Sequence, residues 1–500
     1  MKIFEHIKYG CALIVVYLAI GCNSWLDEVA KPENEQVSTD FWKTKEEVFG
    51  VLAGAYTEMR NCLPSFIQWG ELRADAVQVG PSGLSDQDMM NIQKVNLRPD
   101  NLLVLWDKFY SVIGRCNSVI KYGPGVLKDD PTFKKVVCDA YLSEAYWIRS
   151  LMYFYLVRNF CEVPFITEPY ITDDQDFNIP KSSDTLIINS VLKDLKTHAM
   201  KCPPSYVTNN HTRGRATRWA YYALIADMSL WAGYYEDAIK YSQMIIDNNS
   251  DYYLLDKSQW FQIYYPGNSP ESIFDLQWDI QNQNNNLYSW TFNSMTSDQM
   301  YEVSGDVKLK FTQIPGEIDV RAEGGSYLDN GKLWKYAGKA IDIEGKMTRT
   351  GREKDINWPV YRLSDVMLIK AMALVFTSAS NYQEATDIVN KIRSHRGYST
   401  DLPAPSDEDA MIQMILDERE REFLGEGKRW YDLLCVARQD NYSRKDGLVE
   451  IMLQGVSIKD RELLKLRLKD PHGFYLPIHE DEIDNSEDVL IQNPYYQSVN

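Results

Sequence analysis

Basic residues are the minority in this 500-residue chain: 53 Lys and Arg stand against 71 Asp and Glu, a formal net charge of −18. No block of five or six basic residues occurs, so the concentrated cationic surface that sequence-independent binding to nucleic acid requires is missing. Cysteine is sparse. The eight cysteines stand at 11, 22, 62, 116, 138, 161, 202 and 435 with no C-x-x-C pair, which excludes a metal knuckle and a dense disulfide scaffold. Histidine is sparser still, six in all at 6, 198, 211, 395, 472 and 479, none beside a plausible nucleophile. Long apolar runs are absent too: the best, Cys11 to Ile20, is about half of what spans a bilayer.

Catalytic and nucleotide-binding patterns are also missing. There is no H-E-x-x-H, G-x-S-x-G or G-x-G-x-x-G, and the acidic "ITDDQDF" at 171–177 lacks the glycine and closing glutamate of an EF-hand loop. The stretch most like an active site is "LDEREREFLGEGKRWYDLL", 416–434. A Walker loop there would need Gly at 422 and Ser or Thr at 429, where Glu422 and Arg429 stand. Its charges instead fall at helical pairing distances: Asp417 with Arg421, Glu418 with Arg421, Arg419 with Glu422. Gly425 and Gly427 are placed to end the helix, with Arg419 or Arg429 tying the turn to neighbours. Glycosidase chemistry needs only two carboxylates; acids are plentiful, but nothing marks any pair, and no catalytic residue is assigned.

What is present begins at the N-terminus. Lys2 and Lys8, the short apolar run and Ala19-Ile20-Gly21-Cys22 read as a lipoprotein-type signal peptide over 1–21, with Cys22 the lipidated first residue of the mature chain and 22–40 a polar tether. From 41 to 500 a single domain is expected. Amphipathic helical periods run through 40–60, 105–123, 137–160 and 183–200, the last introduced by Pro180 and a Ser/Asp cap. Two segments, 216–247 and 362–393, look like tetratricopeptide units, with Ala238 and Ala385 as the small residues that let paired helices approach. The fold expected is mainly α: a divergent tetratricopeptide-like repeat scaffold, carrying a large irregular, loop-rich insertion at about 250–360 as its ligand face.

Aromatics make up 12% of the chain. Flat rings among amides suit the C–H faces and hydroxyl rims of sugars, and Trp278, Tyr288, Trp290 and, further on, Tyr301 lie on or near an Asn-rich segment that includes Asn286. Trp278 follows the apolar "SIFDLQ", which suits a ring plugging the core better than one facing a ligand. Trp69, Arg73 and Asp75, which precede the Gly80–Gly83 loop, are further candidate ligand contacts, although Arg73 and Asp75 are also spaced to pair with each other and merely fix that loop. Rings at 219, 221, 222 and 231 have helical spacing and read as core.

Taken in order, "CNSWLDEVAKPENEQVSTDFWKTKEEVFGVLAGAY", "GELRADAV" (70–77), "LWDKFYSVIGRCNSVI" (105–120), "EAYWIRSLMYFYLVRNFCEVPFIT" (144–167), "NWPVYRLSDVMLIKAMAL" (357–374), "EATDIVNKIRSHRG" (384–397), the 416–434 stretch and "YLPIHEDEIDNSEDVLIQNPYY" (475–496) resemble the SusD/RagB family nearly end to end. The chain departs from the family pattern at Met372, where a glutamate is usual, and at Tyr495, where a glycine is. The resemblance implies an outer-membrane surface lipoprotein that captures glycan, or in some branches peptide, and delivers it to a SusC-like TonB-dependent transporter. It implies no catalysis and no cofactor. A helical-repeat scaffold for protein partners is the alternative from another class.

Overall fold

The computed structural model describes residues 41–172, 174–279, 299–311, 317–338, 355–454 and 456–497. Cys22 therefore lies outside the described residues, as do Asn286, Tyr288 and Trp290. Among the described residues no helix is long and apolar enough to cross a membrane.

The principal helices are α1 (Lys45–Asn61), α2 (Leu63–Glu71), α3 (Asp107–Val126), α4 (Lys135–Phe160), α5 (Asp184–His198), α6 (Arg218–Trp231), α7 (Tyr235–Ile246), α8 (Leu363–Thr377), α9 (Tyr382–His395), α10 (Glu408–Phe423) and α11 (Arg429–Tyr442). Local chemistry sets their ends. Thr44 and Glu47 form a capping box on α1, and Ser183 accepts from Leu186 N at the start of α5. The turns of the two repeat-like pairs, α6/α7 and α8/α9, differ: Gly233 takes φ +79° in the first, and a short 3-10 turn, Ala379–Asn381, forms the second. Ala238 and Ala385 are fully buried where the helices meet. The tetratricopeptide-like reading holds.

Two helices run through the middle. Every residue of α4 from Trp147 to Phe160, and of α8 from Leu363 to Val375, is buried, so neither keeps the one-sided pattern of a surface helix. Arg158 survives there because the rings of Phe154 and Tyr431, each 4.0 Å away, sandwich its guanidinium and Asp227 lies at 3.6 Å.

The strands are short antiparallel pairs. β1 (Val77–Val79) pairs with β5 (Tyr301–Val303), β2 (Val163–Pro164) with β3 (Lys181–Ser182), and β4 (Ser272–Leu276) with β6 (Trp358–Arg362). The β4/β6 pair closes both ends of the insertion onto the scaffold.

The 416–434 stretch supplies the lock. Helix α10 ends at Phe423, and Gly425 and Gly427 take φ +74° and +73° as the chain turns. Gly427 fits against α2 so closely that a Cβ on Gly70 would collide with its carbonyl. The expected pairing within the helix is realised for Glu418–Arg421, at 3.6 Å, but Asp417 accepts from Gln413 instead. Glu422 turns inward to Arg321 (2.8 Å), Arg396 (2.8 Å) and Arg362. Arg396 also holds Glu271 at 2.8 Å, Glu426 holds Lys335 and Arg362 at 2.9 Å each, and Arg321 also binds Asp319 at 2.8 Å and Glu418 at 2.7 Å. All of these side chains are essentially without solvent contact. Burial disfavours charge on Glu422, yet the three guanidiniums outweigh it and hold its carboxyl well below the usual range. Since Glu271, Arg321, Lys335 and Arg362 come from the region read as loop or its edge, that region is bolted to the scaffold by buried ion pairs.

Candidate functional site

Among the described residues a cleft of about 720 Å³ opens where the insertion leaves and re-enters the scaffold. Its walls come from five places: the end of α1 (Arg60), a short helix Asn209–Gly214 capped by Thr208, the turn Tyr265–Asn268, the residues after β4 (Gln277, Trp278, Asp279) and those before β6 (Asp355, Asn357). Gly267 takes φ +74° in that turn, and a Cβ there would run into the Asn357 side chain. Glycine thus permits the close approach.

The amides are fixed by one another. Asn209 Nδ2 donates to Asn268 O (2.7 Å), Asn268 Nδ2 to Asn210 Oδ1 (3.2 Å), and Gln277 Nε2 to Asn210 O (2.9 Å). Arg60 Nη1 donates to Gln277 O at 3.0 Å, and burial pulls the Arg60 guanidinium pKa down. Behind this lattice lies Asp275, whose Oδ2 accepts long bonds, 3.4 Å each, from Asn268 N and Asn357 Nδ2 while Oδ1 has no partner. Burial pushes its carboxyl up to about 7. Each amide spends only part of its capacity on neighbours, so pre-oriented donors and acceptors remain for a ligand, at little ordering cost on binding. Trp278 is half-buried: it packs on the core and also lines the cleft. Directly after Asp279 the chain enters the segment bearing Asn286, Tyr288 and Trp290.

The other residues singled out from sequence lie in the core. Trp69 has no exposed surface; its Nε1 donates to Leu103 O (2.7 Å) and its ring stacks on Phe109. Tyr301 is likewise buried, because the β1/β5 register brings it opposite Val79. Arg73 and Asp75 do not pair with each other. Arg73 lies 4.0 Å over the Trp430 ring and donates to Phe474 O, whereas Asp75 receives Arg429 at 2.8 Å and 3.0 Å. Burial and partners of this kind withdraw Trp69, Arg73, Asp75 and Tyr301 from a ligand surface. Of the rings read as core, Tyr221 and Trp231 are buried, and Trp219 and Tyr222 partly so.

The cleft's Asn209, Asn210, Asn268 and Asn357 escaped sequence reasoning. "TNNHT" and "YPGNSP" carry ordinary turn and cap chemistry, and only their meeting in space makes a site. Among the described residues no cluster of three or more His, Cys, Asp or Glu is placed to hold a metal, and the six described cysteines are unpaired.

A mainly helical, tetratricopeptide-like scaffold with a polar, ring-edged cleft defines the class: a protein built to hold a ligand. The sequence profile of the SusD family matches residues 262–496, and that of a family described as starch-binding and associating with the outer membrane matches 24–230. The chain belongs to the SusD/RagB family. It is 26% identical to SusD-like protein P38 of Formosa agariphila, over 87% of this chain and 92% of that one. A SusD-like protein of Bacteroides ovatus is 23% identical, over 88% and 84%. In fold it is similar to a SusD superfamily protein from Bacteroides vulgatus, with a TM-score of 0.73 and 21% identity over 91% of this chain and all of that one. It is also similar to surface glycan-binding protein A from Bacteroides thetaiotaomicron, solved in complex with laminarihexaose, at TM-score 0.68 and 19% identity over 90% of this chain and all of that one.

Proposed function

We propose that this protein captures an oligosaccharide in the cleft beside Trp278 and passes it to a SusC-like TonB-dependent transporter, acting at the outer-membrane surface from a lipid anchor on Cys22. The observation that carries the reading is the amide lattice of Asn209, Asn210, Asn268 and Gln277 beside Trp278. Neutral sugars are bound by such a combination, rings against their C–H faces and fixed amides against their hydroxyls. The laminarihexaose bound by one structural neighbour and the starch-binding description of the N-terminal profile support a glycan over a peptide. Ligand contacts from Tyr288, Trp290 and Asn286 complete the site in this reading. The protein acts as a binder, without catalysis.

Screening purified protein against neutral polysaccharides and oligosaccharides by calorimetry tests this. Binding without release of reducing ends is expected, weakened about tenfold by Trp278→Ala, Tyr288→Ala or Trp290→Ala. Absence of any glycan binding, with full affinity for peptides, would overturn it.

A further inference from the structure

The Gly267–Asn268 turn of the cleft is held from behind by one carboxyl group. Asn268 takes φ +54°, a left-handed conformation that a residue with a Cβ keeps only where its surroundings fix it. All four of its hydrogen-bonding groups are engaged: its O accepts from Asn209 Nδ2, its Nδ2 donates to Asn210 Oδ1, its Oδ1 accepts from Gln277 Nε2, and its N–H donates to Asp275 Oδ2. The same Asp275 oxygen accepts from Asn357 Nδ2, and the Asn357 side chain lies against Gly267. Asp275 therefore joins the turn, β4 and the residues before β6 at a single atom. It is 1% exposed, out of reach of a sugar, and acts on the cleft through the two asparagines.

We propose that Asp275 is a positioning residue for capture: its ionised carboxylate draws Asn268 N and Asn357 Nδ2 together and fixes the wall that meets the ligand, whereas its protonated form holds them less tightly and the cleft binds more weakly. A charged acceptor makes hydrogen bonds roughly twice as strong as a neutral one, and at 3.4 Å each these two have little strength to spare. Burial pushes the carboxyl up to about 7, outweighing the bonds from Ser272, Asn268 and Asn357 and the attraction of Arg213. The carboxylate is thus present above about pH 7 and lost below it, so affinity rises with pH. Tyr56 and Arg60 of α1 line the hollow behind Asp275, and His211, Asp279 and Asp355 stand on the cleft wall. That the captured ligand is a glycan is taken from the reading above; the hold of Asp275 on the two asparagines is independent of it.

Full-length protein is titrated by calorimetry with laminarihexaose, maltohexaose and cellohexaose at about pH 5.5 and about pH 8.5, on either side of the Asp275 midpoint. Whichever binds is expected to bind about fivefold tighter at the higher pH. Asp275→Asn, which fixes the neutral form at constant shape, should bind equally at both, at the low-pH affinity of the wild type. Asn357→Ala should bind more weakly with a smaller pH ratio, whereas Trp278→Ala should bind more weakly with the ratio kept, and His211→Gln should keep it too. Affinity indifferent to pH, a ratio that survives in Asp275→Asn, or one abolished by His211→Gln would each overturn the proposal. A ligand-free readout separates it from the glycan reading: with 5-fluorotryptophan incorporated and the Trp278 signal assigned by Trp278→Phe, that signal should shift with a midpoint at about pH 7 in the wild type and not in Asp275→Asn. If no oligosaccharide binds, the glycan reading falls and this signal alone decides the role of Asp275; its absence overturns the proposal.

Discussion

Replacing Glu422 by glutamine separates architecture from function in the most charged stretch of the chain. Glu422 has no solvent contact and sits among three guanidiniums, Arg321, Arg362 and Arg396. The amide keeps the shape but removes the charge on which all three guanidiniums converge and turns an N–H donor among them, while Asp319, Glu271, Glu418 and Glu426 stay in place. Breaking a buried pair from one side costs about 3–5 kcal/mol. With an unfolding entropy of ~2.1 cal/mol/K per residue, a folded body of roughly 400 residues loses about 4–6 °C in Tm for that cost. Differential scanning calorimetry reads the shift. The Glu422 carboxyl is held well below its unfolded value, so its contribution is present above the unfolded value and lost as pH falls through the folded one. The gap between wild type and variant should therefore narrow on acidification. A Tm within about 1 °C of wild type, or lost ligand binding at unchanged Tm, would refute the structural role argued for this stretch.

Glu71 has the opposite sign. Burial pushes its carboxyl up to about 8 against backbone N–H bonds from Gly427 and Lys428, so stability is full below its unfolded value and lost as pH rises to about 8. Glu71→Gln should exceed wild type in unfolding free energy from denaturant titration above pH 8, by roughly 2–4 kcal/mol, and lose that advantage near pH 4. Gly427→Ala combines φ +73° with a Cβ 2.6 Å from Phe66 O, and should cost at least about 2 kcal/mol in urea unfolding. Trp278→Ala, half-exposed at the cleft, should weaken glycan binding about tenfold by calorimetry while lowering Tm by less than about 2 °C.

How much of this was legible in the sequence follows the range of the forces involved. The Ser183 cap, the glycine turn at 233 and the small residues Ala238 and Ala385 act within a few residues, and periodicity exposes them. Glu422 sits four residues from Glu418 and three from Arg419, which invites pairing along the helix; its partners lie 26 to 101 residues away, and only the burial of that helix face selects them. Trp69 and Tyr301 have the composition of a sugar platform and the location of a core. A strand pair joining residue 79 to 301 decides the second case, and one sequence without its fold carries no sign of that register. The amide cleft was hidden for a similar reason, since Asn209 and Asn268 meet through a bond spanning 59 residues.

The central claim is capture without turnover. Titrating purified protein with the oligosaccharide that binds best, then recovering the sugar and weighing it by mass spectrometry, tests it most directly. The account predicts saturable one-to-one binding at the Trp278 cleft and an oligosaccharide recovered intact; shortened products, or no saturable binding across neutral and acidic glycans, would contradict it.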